Sequence, residues 1–173
     1  MSNKILSKNQ ILSYSIISLA LMLILSYIEA LFPISIGGVG IKVGLSNILT
    51  IIGILVLGAK MTFIINILRL LIMGVFFGNI IRFQISLFGF LLSFLVMLFL
   101  LKTLKFSIIT TSIFGAVFHN IGQLLAVAII IKNIDLLNLT PIYIMLGIIT
   151  GSIIGVMTDL LYKKLILIMF DKN

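Results

Sequence analysis

Three polar side chains fall inside one otherwise apolar stretch, FGAVFHNIGQLL: His119, Asn120 and Gln123. His119 and Gln123 are spaced i, i+4, and Asn120 and Gln123 i, i+3, so on a helix all three share one face. That face offers donors and acceptors. A second pair, Asn66 and Arg69 in IINILRLLI, is spaced i, i+3 and supplies one guanidinium. Glu29 closes an apolar run, and Lys42 and Asn47 lie in the glycine-rich stretch GGVGIKVGLSNILT. These residue types hold molecules rather than make bonds. Directed hydrogen bonds and an excess of positive charge over Glu29 suit a small polar ligand, with a tilt toward an anion. The competing structural explanation is that Arg69 pairs with Glu29 while the amides tie helices together.

Other chemistry is excluded by what the chain contains. It has no cysteine, which removes disulfides, thiolate metal sites and thiol catalysis. One histidine and four acids leave no plausible all-protein metal site. Asp135, Asp159 and Asp171 are widely separated, so no aspartate-rich cluster can hold Mg²⁺ on a diphosphate. There is no Walker motif, so any ATP hydrolysis must come from a partner. The chain is expected not to be an enzyme and to carry no cofactor of its own.

The elements that position these groups follow from composition. Of 173 residues, 62% are hydrophobic and 9% charged, with mean hydropathy +1.40. That is a polytopic membrane protein, a single integral domain over residues 1–173 with the lipid bilayer as its surroundings. The net charge of +8 is scattered among loops, which argues against a nucleic-acid partner. A spanning helix needs roughly 20 apolar residues. The pattern predicts six, over about 11–32, 43–58, 61–77, 83–101, 106–131 and 142–162. Pro33 ends the first, a polar loop spans 133–141, and Lys163 and Lys164 stop the last. The first apolar run is too long for a signal peptide and lacks an A-x-A site, so it reads as a retained helix.

Six spans put both termini on one side. That side receives Lys4, Lys8, Lys60, Lys102, Lys105, Lys163, Lys164 and Lys172, against Lys42, Arg82 and Lys132 on the other. The bias predicts cytoplasmic termini in the cell membrane. Glu29, Asn47, Arg69, His119, Asn120 and Gln123 then lie between mid-depth and the outer face, and the inner halves are almost entirely apolar. Asp159 and Lys163 form an ordinary i, i+4 pair. The Gly37–Thr50 stretch reads as a short cap over a pocket, or as a plain hairpin between helices. Gly147, Gly151 and Gly155 repeat GxxxG on one face of the last helix, for internal packing or for docking a partner subunit.

The segments SYIEALFP, VGIKVGLSNILTI, SLFGFLLSFLVM and FGAVFHNIGQLL resemble the small bacterial membrane proteins called heptaprenyl diphosphate synthase component I, also known as the Gx transporter family. The resemblance covers nearly the whole chain. These proteins are similar to the substrate-binding S components of energy-coupling-factor (ECF) transporters. The resemblance implies an all-α, six-helix S-component-like bundle with cytoplasmic termini and an outward-facing pocket capped by the loop after helix 1. It also implies a membrane coupling subunit with paired ATPases as partners, while some relatives imply quinone or flavin redox partners. The expected function is capture of a small molecule from outside for uptake. The alternative is a noncatalytic membrane subunit of a quinone, isoprenoid or flavin-linked system.

Overall fold

A computed structural model describes residues 7–31, 34–36, 39–41, 44–77 and 80–170. The protein is an all-α bundle of six helices: α1 (Lys8–Leu31), α2 (Leu45–Val56), α3 (Ala59–Phe77), α4 (Ile80–Lys102), α5 (Ile108–Ile131) and α6 (Thr140–Phe170). Among the described residues, five stretches are long and apolar enough to cross a membrane, and α2 is a shorter apolar helix. Between α1 and α2 stands a small antiparallel hairpin, β1 (Ile34–Ile36) and β2 (Val39–Ile41), with Ser35 opposite Gly40.

Local chemistry moves several expected boundaries. α1 begins at Lys8 rather than residue 11, because Ser7 and Gln10 form a capping box. The Ser7 N–H donates to Gln10 Oε1 at 2.9 Å and the Gln10 N–H to Ser7 Oγ at 3.3 Å. α2 is shorter than the expected 43–58. Left-handed glycines bound it, Gly44 at φ 88° and Gly58 at φ 86°, and the Gly58 N–H returns to the Gly53 carbonyl at 3.0 Å. Its 12 residues span about 18 Å, well under a bilayer core of about 30 Å. α5 starts after Ser107, whose hydroxyl accepts from the Thr110 N–H at 3.1 Å.

The expected loop over 133–141 is instead a 3-10 helix, Ile134–Leu139, leading directly into α6 with Pro141 in its first turn. Lys163 and Lys164 do not stop α6, which runs on to Phe170. Lysine is a good helix former, and Lys163 is tied to Asp159 at 2.7 Å within the helix.

Close contacts at glycines set each helix antiparallel to the next in sequence. Gly53 lies against Thr62, Gly74 against Phe83, Gly89 against Gly122, and Gly147 against Val117. Both described helix ends, at Lys8 and Phe170, therefore sit at the same end of the bundle. α2 packs against all five other helices. Around it the order is α1, α3, α4, α5, α6, and this ring stays open between α6 and α1. A cavity of about 270 Å³ occupies the opening, walled by α1, α2 and α6 with Ile17, Leu21, Ile52, Val56 and Leu161 among its apolar lining.

Burial accounts for the arrangement. α2 buries Ser46, Asn47, Ile48, Thr50, Ile51, Gly53 and Ile54, which cover most of its circumference. Ile51 and Ile54 pack with Leu70, Phe90, Phe94 and Met97 in the main core. Phe63, Phe90 and Phe94 stack at centroid distances of 5.3–5.7 Å. α1 turns Leu12, Ile16, Ile24 and Leu31 outward, as a lipid-facing helix does.

The half of the bundle carrying the chain ends is less uniformly apolar than the sequence suggests. Thr62, Thr111, Ser112 and Thr158 are buried there. Thr62 and Thr158 donate to carbonyls one turn back, Gly58 O at 2.8 Å and Ile154 O at 2.7 Å. A hydroxyl satisfied by its own helix travels into an apolar interior at little cost.

Candidate functional site

The far half of the bundle holds two buried polar seams. The first joins α1, α2 and α3. Arg69 is 6% exposed, and its Nη1 donates to Ser26 Oγ of α1 at 2.9 Å and to Ser46 Oγ of α2 at 2.6 Å. Its Nε is buried with no hydrogen-bond partner. Glu29 Oε1 accepts the backbone N–H groups of Gly44 at 2.5 Å and Leu45 at 3.0 Å, the first free donors of α2. Arg69 also feels the electrostatic attraction of Glu29. Thr50 Oγ1 donates to Asn66 Oδ1 at 3.3 Å, and Asn66 Nδ2 donates to the Thr62 carbonyl at 3.0 Å. Asn66 thus serves the α2–α3 contact, one turn below Arg69.

The second seam lies on α5 between α4 and α6. His119, Asn120 and Gln123 are all buried. Asn120 Nδ2 donates to the Tyr143 carbonyl of α6 at 3.3 Å. On the α4 side, Gly89 makes room for the seam. A Cβ there would stand 2.7 Å from Gln123 Cγ, 2.9 Å from the His119 carbonyl and 3.2 Å from His119 Cε1. Gln123 Oε1 is buried and has no hydrogen-bond partner. An orphaned buried amide oxygen is costly and needs a partner of some kind.

The helix registers put the two seams at one level. Arg69 pairs in height with Ser46 across α2–α3. Counting back along α3 from Gly74 to Arg69, and forward along α4 from Phe83 to Phe88, reaches Gly89, which faces Gly122 beside Gln123. Asn47, buried on α2, sits at the same height, since it follows Ser46, the partner of Arg69. Strand β2 reaches across to α5, so the hairpin overlies this end of the bundle. Lys42 lies outside the described residues.

The glycines of α6 occupy a different place. A Cβ on Gly147, Gly151 or Gly155 would meet backbone Cα atoms of Val117, Ile113 and Ile109 at 2.7, 2.7 and 3.0 Å. That face is filled by α5, within the chain.

Sequence reasoning missed Ser26 as a partner of Arg69, the role of Glu29 at the start of α2, and Gly89. A signal existed for the second: an acid before a glycine-rich turn and a helix start is the composition of an N-terminal cap, although from a distant helix.

The pattern of heptaprenyl diphosphate synthase component I matches residues 17–161, most of the chain. The chain belongs to that family. Among curated proteins and among solved structures, none matches it.

Proposed function

From family membership and the apolar bundle the protein is a membrane component, and we propose that it is the ligand-capturing subunit of a larger assembly. In this reading it takes up a small, anionic or strongly polar molecule from the end of the bundle beneath the hairpin. The supporting observation is the pair of unfilled hydrogen-bond positions at one height, Arg69 Nε and Gln123 Oε1. Arg69 would supply charge, His119, Asn120 and Gln123 orientation, and Asn47 and Lys42 further hydrogen-bonding groups. Uptake would then resemble that of ECF S components, with ATP used only by partner ATPases. The protein itself catalyses nothing.

The test is binding with the fold monitored in parallel. Small molecules retained by detergent-purified protein are identified by mass spectrometry, and the tightest is titrated into variants. His119→Ala and Gln123→Ala are expected to weaken binding about five- to tenfold each, the effect of one lost hydrogen bond of roughly 1–1.5 kcal/mol. Their melting midpoints should stay close to the parent. Variants that melt early yet bind normally would assign these side chains to helix packing.

Orientation carries its own prediction. Capture from outside requires the chain-end side of the bundle to face the cytoplasm, as the lysine bias indicates. Cysteines placed at Lys60 and Lys102, which lie at that end, should resist impermeant thiol reagents in intact cells. A cysteine at Lys132, at the opposite end, should label. Strong labelling at position 60 or 102 reverses the orientation and removes capture from outside.

A second reading draws on the family description and on the open cavity of about 270 Å³ between α1, α2 and α6. A noncatalytic partner of an isoprenoid or quinone system would need an apolar groove beside the lipid, and this one is apolar along most of its wall. Recovery of a prenyl compound, with no polar ligand, from the purified protein would favour it.

A further inference from the structure

The start of α2 has the features of an anion site that already contains an anion. Its first free N–H groups, those of Gly44 and Leu45, point at one carboxylate oxygen, Glu29 Oε1, contributed by a different helix. The N-terminus of a helix carries the equivalent of roughly half a positive charge. Arg69 adds a full charge against the same turn, because its Nη1 is bonded to Ser46 Oγ. One carboxylate therefore leaves a positive excess. Arg69 Nε, buried and without a partner, is a donor still open at this spot.

We propose that the N-terminus of α2 and Arg69 form the anion subsite of the protein, with Glu29 as its resting occupant and a carboxylate or phosphate group of the captured molecule as its exchange partner. This rests on the ligand-capture reading and adds to it the chemical class of the group recognised. The position also gives the exchange a mechanical consequence. Gly44, at φ 88°, is the left-handed residue where the chain leaves the hairpin region and enters α2. The cap that Glu29 makes binds that residue to α1. An incoming anion that replaces Glu29 keeps the N–H groups satisfied but cuts the tie between α1 and the foot of the hairpin.

The experiment removes the resident carboxylate and offers free ones. Purified Glu29→Ala and parent protein are titrated with acetate and with inorganic phosphate, at constant ionic strength, and the melting midpoint is followed. Glu29→Ala is expected to melt below the parent and to regain stability saturably with acetate. Its half-saturating concentration should be at least tenfold lower than for the parent, whose own carboxylate competes. Neutral acetamide should do nothing, and Arg69→Gln in the Glu29→Ala background should abolish the response. Where Glu29→Ala does not yield folded protein, Glu29→Gln carries the same comparison, with tighter anion binding than the parent expected. Equal responses of variant and parent, rescue by acetamide, or a response that survives loss of Arg69 would each overturn the proposal. These titrations do not use the captured molecule, so a failed search for it leaves them standing, and their failure leaves ligand capture on the α5 seam standing.

Discussion

Gly151→Leu should abolish monodisperse folded protein. The α5–α6 contact is built on backbone meeting backbone, and at Gly151 even a methyl group would lie 2.7 Å from Ile113 Cα and 3.0 Å from the Ile113-adjacent Ser112 carbonyl. A flexible side chain could swing away, but a main-chain atom in a packed helix cannot. Overpacking of this kind costs typically 1–3 kcal/mol, and a leucine against backbone belongs at or beyond about 3 kcal/mol. In a membrane the loss is sharper, because close approach of small residues is itself a main source of helix association. Gly155→Ala should be milder than Gly151→Ala, since its nearest atoms stand at 3.0 rather than 2.7 Å. Met145→Leu, on a side chain 60% exposed toward lipid, is the neutral control. Size-exclusion profiles and thermal melts in detergent check the order. A Gly151→Leu variant as stable as the parent would mean that α5 and α6 separate freely.

The same interface shows what was legible in the sequence. Membrane class, six helices and the polar groups of α5 follow from hydropathy and from residues spaced three and four apart, because a bilayer leaves a helix few ways to hide its backbone. The GxxxG repeat announces a close contact, although only the packed structure says with which helix. Helix ends were less legible where a local bond overrides the apolar pattern. The Ser7–Gln10 box starts α1 early, and paired Lys163 lets α6 run on. Most opaque was the lateral grouping of the polar residues. Depth can be counted along each helix, and it places Arg69 with His119 and Asn120 near mid-depth and Gln123 one turn further out. Which helices stand side by side cannot be counted, so the sharing of Arg69 between Ser26 and Ser46, and the room that Gly89 leaves for His119 and Gln123, required the fold.

Arg69→Ala should be the most destabilising substitution in the polar half, and Glu29→Gln should partly repair it. In the parent, one guanidinium nitrogen serves hydroxyls from two helices, Ser26 on α1 and Ser46 on α2, while its charge balances Glu29. Truncation strands the two hydroxyls and leaves the half-buried carboxylate of Glu29 facing only the α2 N-terminus. Losing hydrogen bonds made by a charged donor costs about 1.5–3 kcal/mol, and the unbalanced charge of Glu29 adds to it. Glutamine at position 29 keeps an oxygen that can accept the Gly44 and Leu45 N–H groups but carries no charge. The double variant Arg69→Ala/Glu29→Gln should therefore melt above Arg69→Ala alone. Arg69→Lys should fall between Arg69→Ala and the parent, because an ammonium restores charge but lacks the fixed planar geometry in which Nη1 is held against both hydroxyls. Thermal melts of the parent, the single variants and the double variant decide it. A double variant less stable than Arg69→Ala would show that Glu29 acts here through its hydrogen bonds and not through its charge. The balance of charge between α1 and α3 would then have no part in holding this end of the bundle together.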